Sequence, residues 1–87
     1  MEKQVYLKSV EKITGTKMVP CESSNIEGFG YNHKNQELLV AFKGAKVYKY
    51  YEVPEDIFKG LIDAESKGKY LNQNVKNSFK YQGYELV

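Results

Sequence analysis

An α+β domain is the fold that this 87-residue sequence predicts: a small antiparallel sheet of three to four strands followed by two helices packed on one face. Three observations carry the prediction. Segments with a side-chain period of two come first, "NIEGFGYN", "ELLVAFKG" and "KVYKYYEV". A segment of helical period, "PEDIFKGLIDA", follows them. Short stretches of turn-forming residues separate the units.

Taken in order, residues 1–16 are an N-terminal extension, either a strand through Val5 and Leu7 or a loose arm, broken at Thr14, Gly15 and Thr16. Residues 17–87 form the single domain. Ile26 opens a strand that ends in the turn "NHKNQ", whose asparagines tolerate left-handed backbone. The next strand alternates Leu38, Val40 and Phe42 against Leu39 and Ala41, which makes the pair a hairpin. After "KGA", a third strand places Tyr48 and Tyr50 on one face. Pro54 stops it and starts a helix over residues 54–64, with Glu55 and Asp56 at the positive end of the dipole. Ile57, Phe58, Leu61 and Ala64 form its apolar stripe. Ser66 caps a second helix with Tyr70, Leu71 and Val75 inward and Lys67, Lys69 and Lys76 outward. The segment "SFKYQGYELV" closes the fold as a short strand or an extended tail. The helical pair covers one sheet face, and the other is expected to be solvated.

Composition narrows the function classes. A hydrophobic fraction of 41% with 28% charged residues suits one globular domain of this length, which buries only about 60% of its unfolded surface. No apolar run extends beyond residues 38–42, and the charged N-terminus has no apolar h-region, so neither a membrane span nor a signal peptide is expected. A cytoplasmic location follows, and the lone Cys21 fits a reducing compartment. With Cys21 and His33 as the only residues of their kinds, one chain cannot build a Cys/His metal cage; no cofactor is expected. All basic residues are lysine, which removes the planar fork that reads guanine edges. The net charge of +2 is small but segregated: residues 67–80 hold four lysines and no acid.

The stretches "VPCESSNIEGFGYN", "LLVAFKGAKVYKYYEVPEDIF" and "AESKGKYLNQNVK" resemble the KTSC domain. The matching positions include Ser23, Ser24, Asn25, Ile26, Gly30 and Tyr31. They continue through Tyr48, Lys49, Tyr50 and Pro54 to Ser66, Gly68, Tyr70 and Asn72. The resemblance spans about residues 19–81. It implies a domain found at the C-terminus of some lysyl-tRNA synthetases and as single-domain bacterial and phage proteins, with RNA as the suggested ligand. Leu71 stands where that family usually has an aromatic residue, and the arginines often found near its second helix are replaced by lysines or absent.

Three constellations are candidate sites. Tyr48 and Tyr50, with Lys46 and Lys49, can stack successive unpaired bases, or the tyrosines can pack under the helices with their hydroxyls bonded. Ser23, Ser24 and Asn25 can present donors to a phosphate or fold back as a turn. Ser66, Lys67, Lys69, Tyr70 and Asn72 gather at a helix start that favours an anion, or cap and solvate that helix. No carboxylate pair or serine with a nearby base supports an enzyme. Cys21 is expected to be a buried small hydrophobe and His33 an exposed turn residue. The expected function is therefore a non-enzymatic binding module for RNA, weakly sequence-selective and strongly salt-dependent. The alternatives are a module that engages a host protein and a binder of small phosphorylated ligands. No membrane partner is expected, and the oligomeric state is open.

Overall fold

A computed structural model describes residues 3–85. Its elements in chain order are α1 (Lys3–Thr14), β1 (Val19–Pro20), β2 (Ile26–Asn32), β3 (Glu37–Phe42), β4 (Lys46–Tyr50), α2 (Glu55–Asp63), α3 (Lys67–Asn74) and β5 (Tyr81–Glu85). The strands form one antiparallel sheet in the order β1-β2-β3-β4-β5. The α+β class stands, with five strands and three helices in place of three to four and two. The edges are β1, which was not expected, and β5, the strand alternative expected for the closing segment. Pro20 has no N–H to give a ladder, which suits a two-residue edge, and β5 is the "YQGYE" segment paired along β4.

Local chemistry fixes the hairpins. Asn32 Oδ1 accepts from the amides of Lys34 at 3.0 Å and Asn35 at 3.2 Å, folding the β2–β3 turn before Gln36 takes a left-handed φ of 55°. Lys43, Gly44 and Ala45 connect β3 to β4, with φ of 88° at Gly44 and 60° at Ala45. The register pairs Val40 with Tyr48 and Leu38 with Tyr50, so Tyr48 and Tyr50 share a face. On that face Leu38, Val40 and Tyr50 pack beneath Leu61 of α2 and Leu71 of α3, together with Val53 and Val75. Each such apolar side chain removed from water contributes about 1.5–3 kcal/mol.

The expectation of a solvated second face is overturned, and so is that of a strand or loose arm for residues 3–14; residues 1 and 2 of that segment lie outside the described residues. α1 is a helix that lies over that face, burying Tyr6, Leu7 and Val10 against Leu39, Ala41 and Val47. The alternation through Val5 and Leu7 competes with a helical stripe through Tyr6, Leu7 and Val10, and docking decides between them. A helix of this length is marginal alone and gains its stability from the apolar face it covers. Gly28 lets it come close, since a Cβ there would lie 2.8 Å from a Leu7 methyl and 2.7 Å from the Val19 carbonyl. The helix ends where Gly15, at φ 73°, donates to Glu11 O at 2.8 Å. Among the described residues every buried side-chain polar atom has a partner. No described helix is long and apolar enough to cross a membrane.

Candidate functional site

The helical pair does not cover its sheet face completely. Between α3 and the strands β4 and β5 lies an open groove of about 520 Å³. Its aromatic side is built by strand register. Tyr48 stands opposite Gly83 of β5, and Tyr50 stands opposite Tyr81. Because Gly83 has no side chain, the Tyr48 ring leans over β5; a Cβ there would sit 3.1 Å from its Cε1. Tyr48 thereby stacks on Tyr81, with ring centroids 5.2 Å apart and planes at 24°. Phe42 meets Tyr48 edge-on at 5.3 Å and 62°.

Burial separates the two strand tyrosines. Tyr50 is 4% exposed at the floor, and its phenol is pushed up to about 12 by burial first and by the neighbouring Tyr48 and Tyr81 second. It remains a neutral ring throughout the physiological range. Tyr48 is half-buried, and Tyr81 is 55% exposed. Opposite this aromatic row, α3 and the turn after it supply Leu71, Asn72, Lys76 and Asn77, while Asn25 and Lys46 border the groove from the sheet side. Among the described side chains no carboxylate lines it.

Of the residues singled out in the sequence, Asn25, Lys46, Tyr48, Tyr50 and Asn72 come together here. The others are placed elsewhere. Lys49 belongs to the α1 face, with Nζ 3.8 Å from Glu37 Oε1 and 5.9 Å from the Tyr84 ring centre, because one residue along a strand reverses the face. Lys67 Nζ donates to the carbonyls of Ile62 at 2.8 Å and Ala64 at 2.7 Å, satisfying the end of α2. Tyr70 donates its hydroxyl to Ile57 O at 2.9 Å, tying α3 to α2. Ser66 Oγ accepts from Lys69 N at 3.3 Å as the α3 cap. Ser23 Oγ accepts from Asn25 N at 3.3 Å as a turn. Ser24 and Lys69 are exposed outside the groove. Cys21 is buried, and His33 is an exposed turn residue whose Nδ1 lies 3.3 Å from Glu55 Oε1.

The sequence reading missed Phe42, Lys76, Asn77 and Tyr81 as groove residues. Tyr81 and Tyr84 flank Gln82 and Gly83, and a strand assignment for "YQGY" places Tyr81 and Gly83 on one face. Its pairing with Tyr50 depends on β5 joining β4, which no local pattern states.

The family model of the KTSC domain matches residues 22–79. A protein of Tsukamurella paurometabola is 46% identical over 63 residues, which cover 72% of this chain and 94% of that protein. A lysine–tRNA ligase of Nostoc punctiforme is 32% identical over 74 residues; these are 85% of this chain but 13% of the ligase. The crystal structure of a KTSC domain protein from Yersinia pestis matches with a TM-score of 0.77 and 29% identity, over 79% of this chain and 97% of that one.

Proposed function

The chain belongs to the KTSC domain family, and from that premise we propose that it is a non-enzymatic module that takes unpaired RNA bases into the groove between α3 and strands β4 and β5. The observation that carries this reading is the Tyr48–Tyr81 stack, one ring half-buried, the other largely exposed, beside Lys46 and Lys76. A rigid aromatic surface stacks any base, at about 1–3 kcal/mol per base, and lysines next to it meet the phosphates. Asn25, Asn72 and Asn77 bring amide donors and acceptors to base edges or to the ribose hydroxyl. The groove volume suits one or two nucleotides rather than a duplex, whose bases are already stacked. The relative named lysine–tRNA ligase acts, by that name, on tRNA, and a segment making up 13% of it fits an added RNA-contacting part.

The test is an amide NMR titration of labelled protein with a short single-stranded RNA at low and at physiological salt. Salt-sensitive shifts at Lys46, Tyr48, Asn72, Lys76 and Tyr81 are expected. An unchanged spectrum at low salt rejects the reading and directs the search to a protein partner meeting the exposed Tyr81 and the β5 edge.

A further inference from the structure

We infer that Tyr6, on α1, is a positioning residue for the groove on the opposite side of the sheet: its hydroxyl ties the two ends of the β3–β4 hairpin and so holds Phe42 and Lys46 in place for an incoming nucleotide. The ligand in this inference rests on the RNA reading above.

The tie is short, and its donor residue is buried. Tyr6 is 3% exposed, and its Oη lies 2.8 Å from Phe42 O and 2.9 Å from Lys46 O. Those two residues form the last rung of the β3–β4 ladder, so one phenol proton is shared across the mouth of the hairpin. Beyond the rung the backbone is unfavourable, since Ala45 holds a φ of 60° that residues with a Cβ rarely adopt. A strained turn left to itself relaxes; a buried donor gripping both of its ends prevents that. Burial first, and Glu27 second, push the Tyr6 phenol up to about 12, so it remains a donor at any pH where the protein works.

The side chains of the clamped rung point the other way. Phe42 and Lys46 both line the groove, and Phe42 supports Tyr48 edge-on. The same corner has another tether: Lys43 N donates to Asn25 O at 2.9 Å, and Asn25 also lines the groove. Three groove residues are thus located by one hairpin, and the hairpin is located from behind by Tyr6. Tyr6 lies outside residues 22–79, so this support comes from a part of the chain beyond the family match.

The experiment uses the full chain, with Tyr6→Phe retaining the ring and deleting the hydroxyl, and a labelled oligouridylate as the probe across a series of salt concentrations. Affinity at low salt is expected to fall up to about five-fold, the size of one exposed ion pair between Lys46 and a phosphate. The slope of log K against log salt is expected to flatten by about 0.7, the loss of one fixed phosphate contact on a single strand. Lys46→Ala should weaken wild type yet add nothing in the Tyr6→Phe background. A lower melting temperature with an unchanged slope and fully additive Lys46→Ala would mean that Tyr6 only stabilises the fold, and the inference falls. Should Tyr6→Phe fail to fold, Ala45→Gly in the same chain relieves the turn, and the same measurements apply to the pair. If wild type does not bind the probe, the RNA reading fails separately. The positioning claim is then decided by the Phe42 and Tyr48 ring resonances across the sheet, which must move in Tyr6→Phe and which overturn it by staying still.

Discussion

The two faces of the sheet are covered to different degrees, and the difference separates residues that hold the fold from residues available to a ligand. On one face α1 seals Leu39, Ala41 and Val47 with Tyr6, Leu7 and Val10. On the other, α2 and α3 seal the part around Leu38, Val40 and Val53 and stop short of β5, leaving Tyr48 partly and Tyr81 largely in contact with water. Strand β4 contributes to both: Val47 faces the sealed side and Tyr48 the open one. Substitutions on sealed surface should therefore act on stability, and those on open surface on binding.

The largest expected effect is at the centre of the sealed part of the groove face. Leu61→Ala removes a side chain with no exposure and should cost about 2–5 kcal/mol, seen as a lower urea midpoint with an unchanged m-value. Leu7→Ala asks the same of the α1 face and should cost about 2–3 kcal/mol, since Leu7 is buried in the second cluster. An unaltered midpoint in Leu7→Ala would return α1 to the status of a loose arm and dissolve the comparison.

High pH tests the two faces together. The Tyr6 and Tyr50 phenols are each raised to about 12 in the folded chain against an ordinary value near 10, one from each face. A raised folded value means that the folded state holds the proton more tightly, so the stabilisation is fully present below about pH 10 and is lost as pH climbs from about 10 toward 12. Thermal melts across that window, followed by phenolate absorbance, should show cooperative loss, with a shallower decline in Tyr50→Phe. A melting temperature unchanged across the window would place both phenols in water.

Smaller effects sharpen the division between cap and ligand contact. Ser66→Ala should cost about 1 kcal/mol of stability and leave RNA affinity unchanged, because its oxygen is used by the Lys69 amide. Tyr81→Ala differs in reaching binding as well: it should cost about 0.5–1.5 kcal/mol of stability through the lost stack on Tyr48 and weaken binding by about 1–3 kcal/mol. Chemical denaturation paired with a fluorescence titration reads both quantities. Equal losses of binding in the two variants would erase the distinction drawn between α3 as a capped helix and β5 as a contact surface.

Much of the sheet and both later helices are legible locally. The Asn32 turn, the alternation on β3 and β4, the stop at Pro54 and the Ser66 cap each depend on residues within a few positions of one another. The candidate site is legible only in part. Period two puts Tyr48 and Tyr50 on one face, but it does not say that Tyr50 is floor and Tyr48 wall, since that depends on where α3 stops. Lysine content likewise does not distinguish Lys67, which closes the end of α2, from Lys76, which borders the groove.

The α+β class, the hairpins, α2 and α3 follow from the chain's local chemistry, because turn formation, capping and side-chain period act over short separations; the family rests instead on resemblance to the KTSC domain. Packing alone selects the N-terminal helix on the second face, the pairing of β5 that brings Tyr81 onto Tyr48, and the reach of Tyr6 to the carbonyls of Phe42 and Lys46. The Tyr6 and Tyr81 contacts join residues more than thirty positions apart, and the free energy that selects all three comes from surfaces that exist only once the sheet has formed.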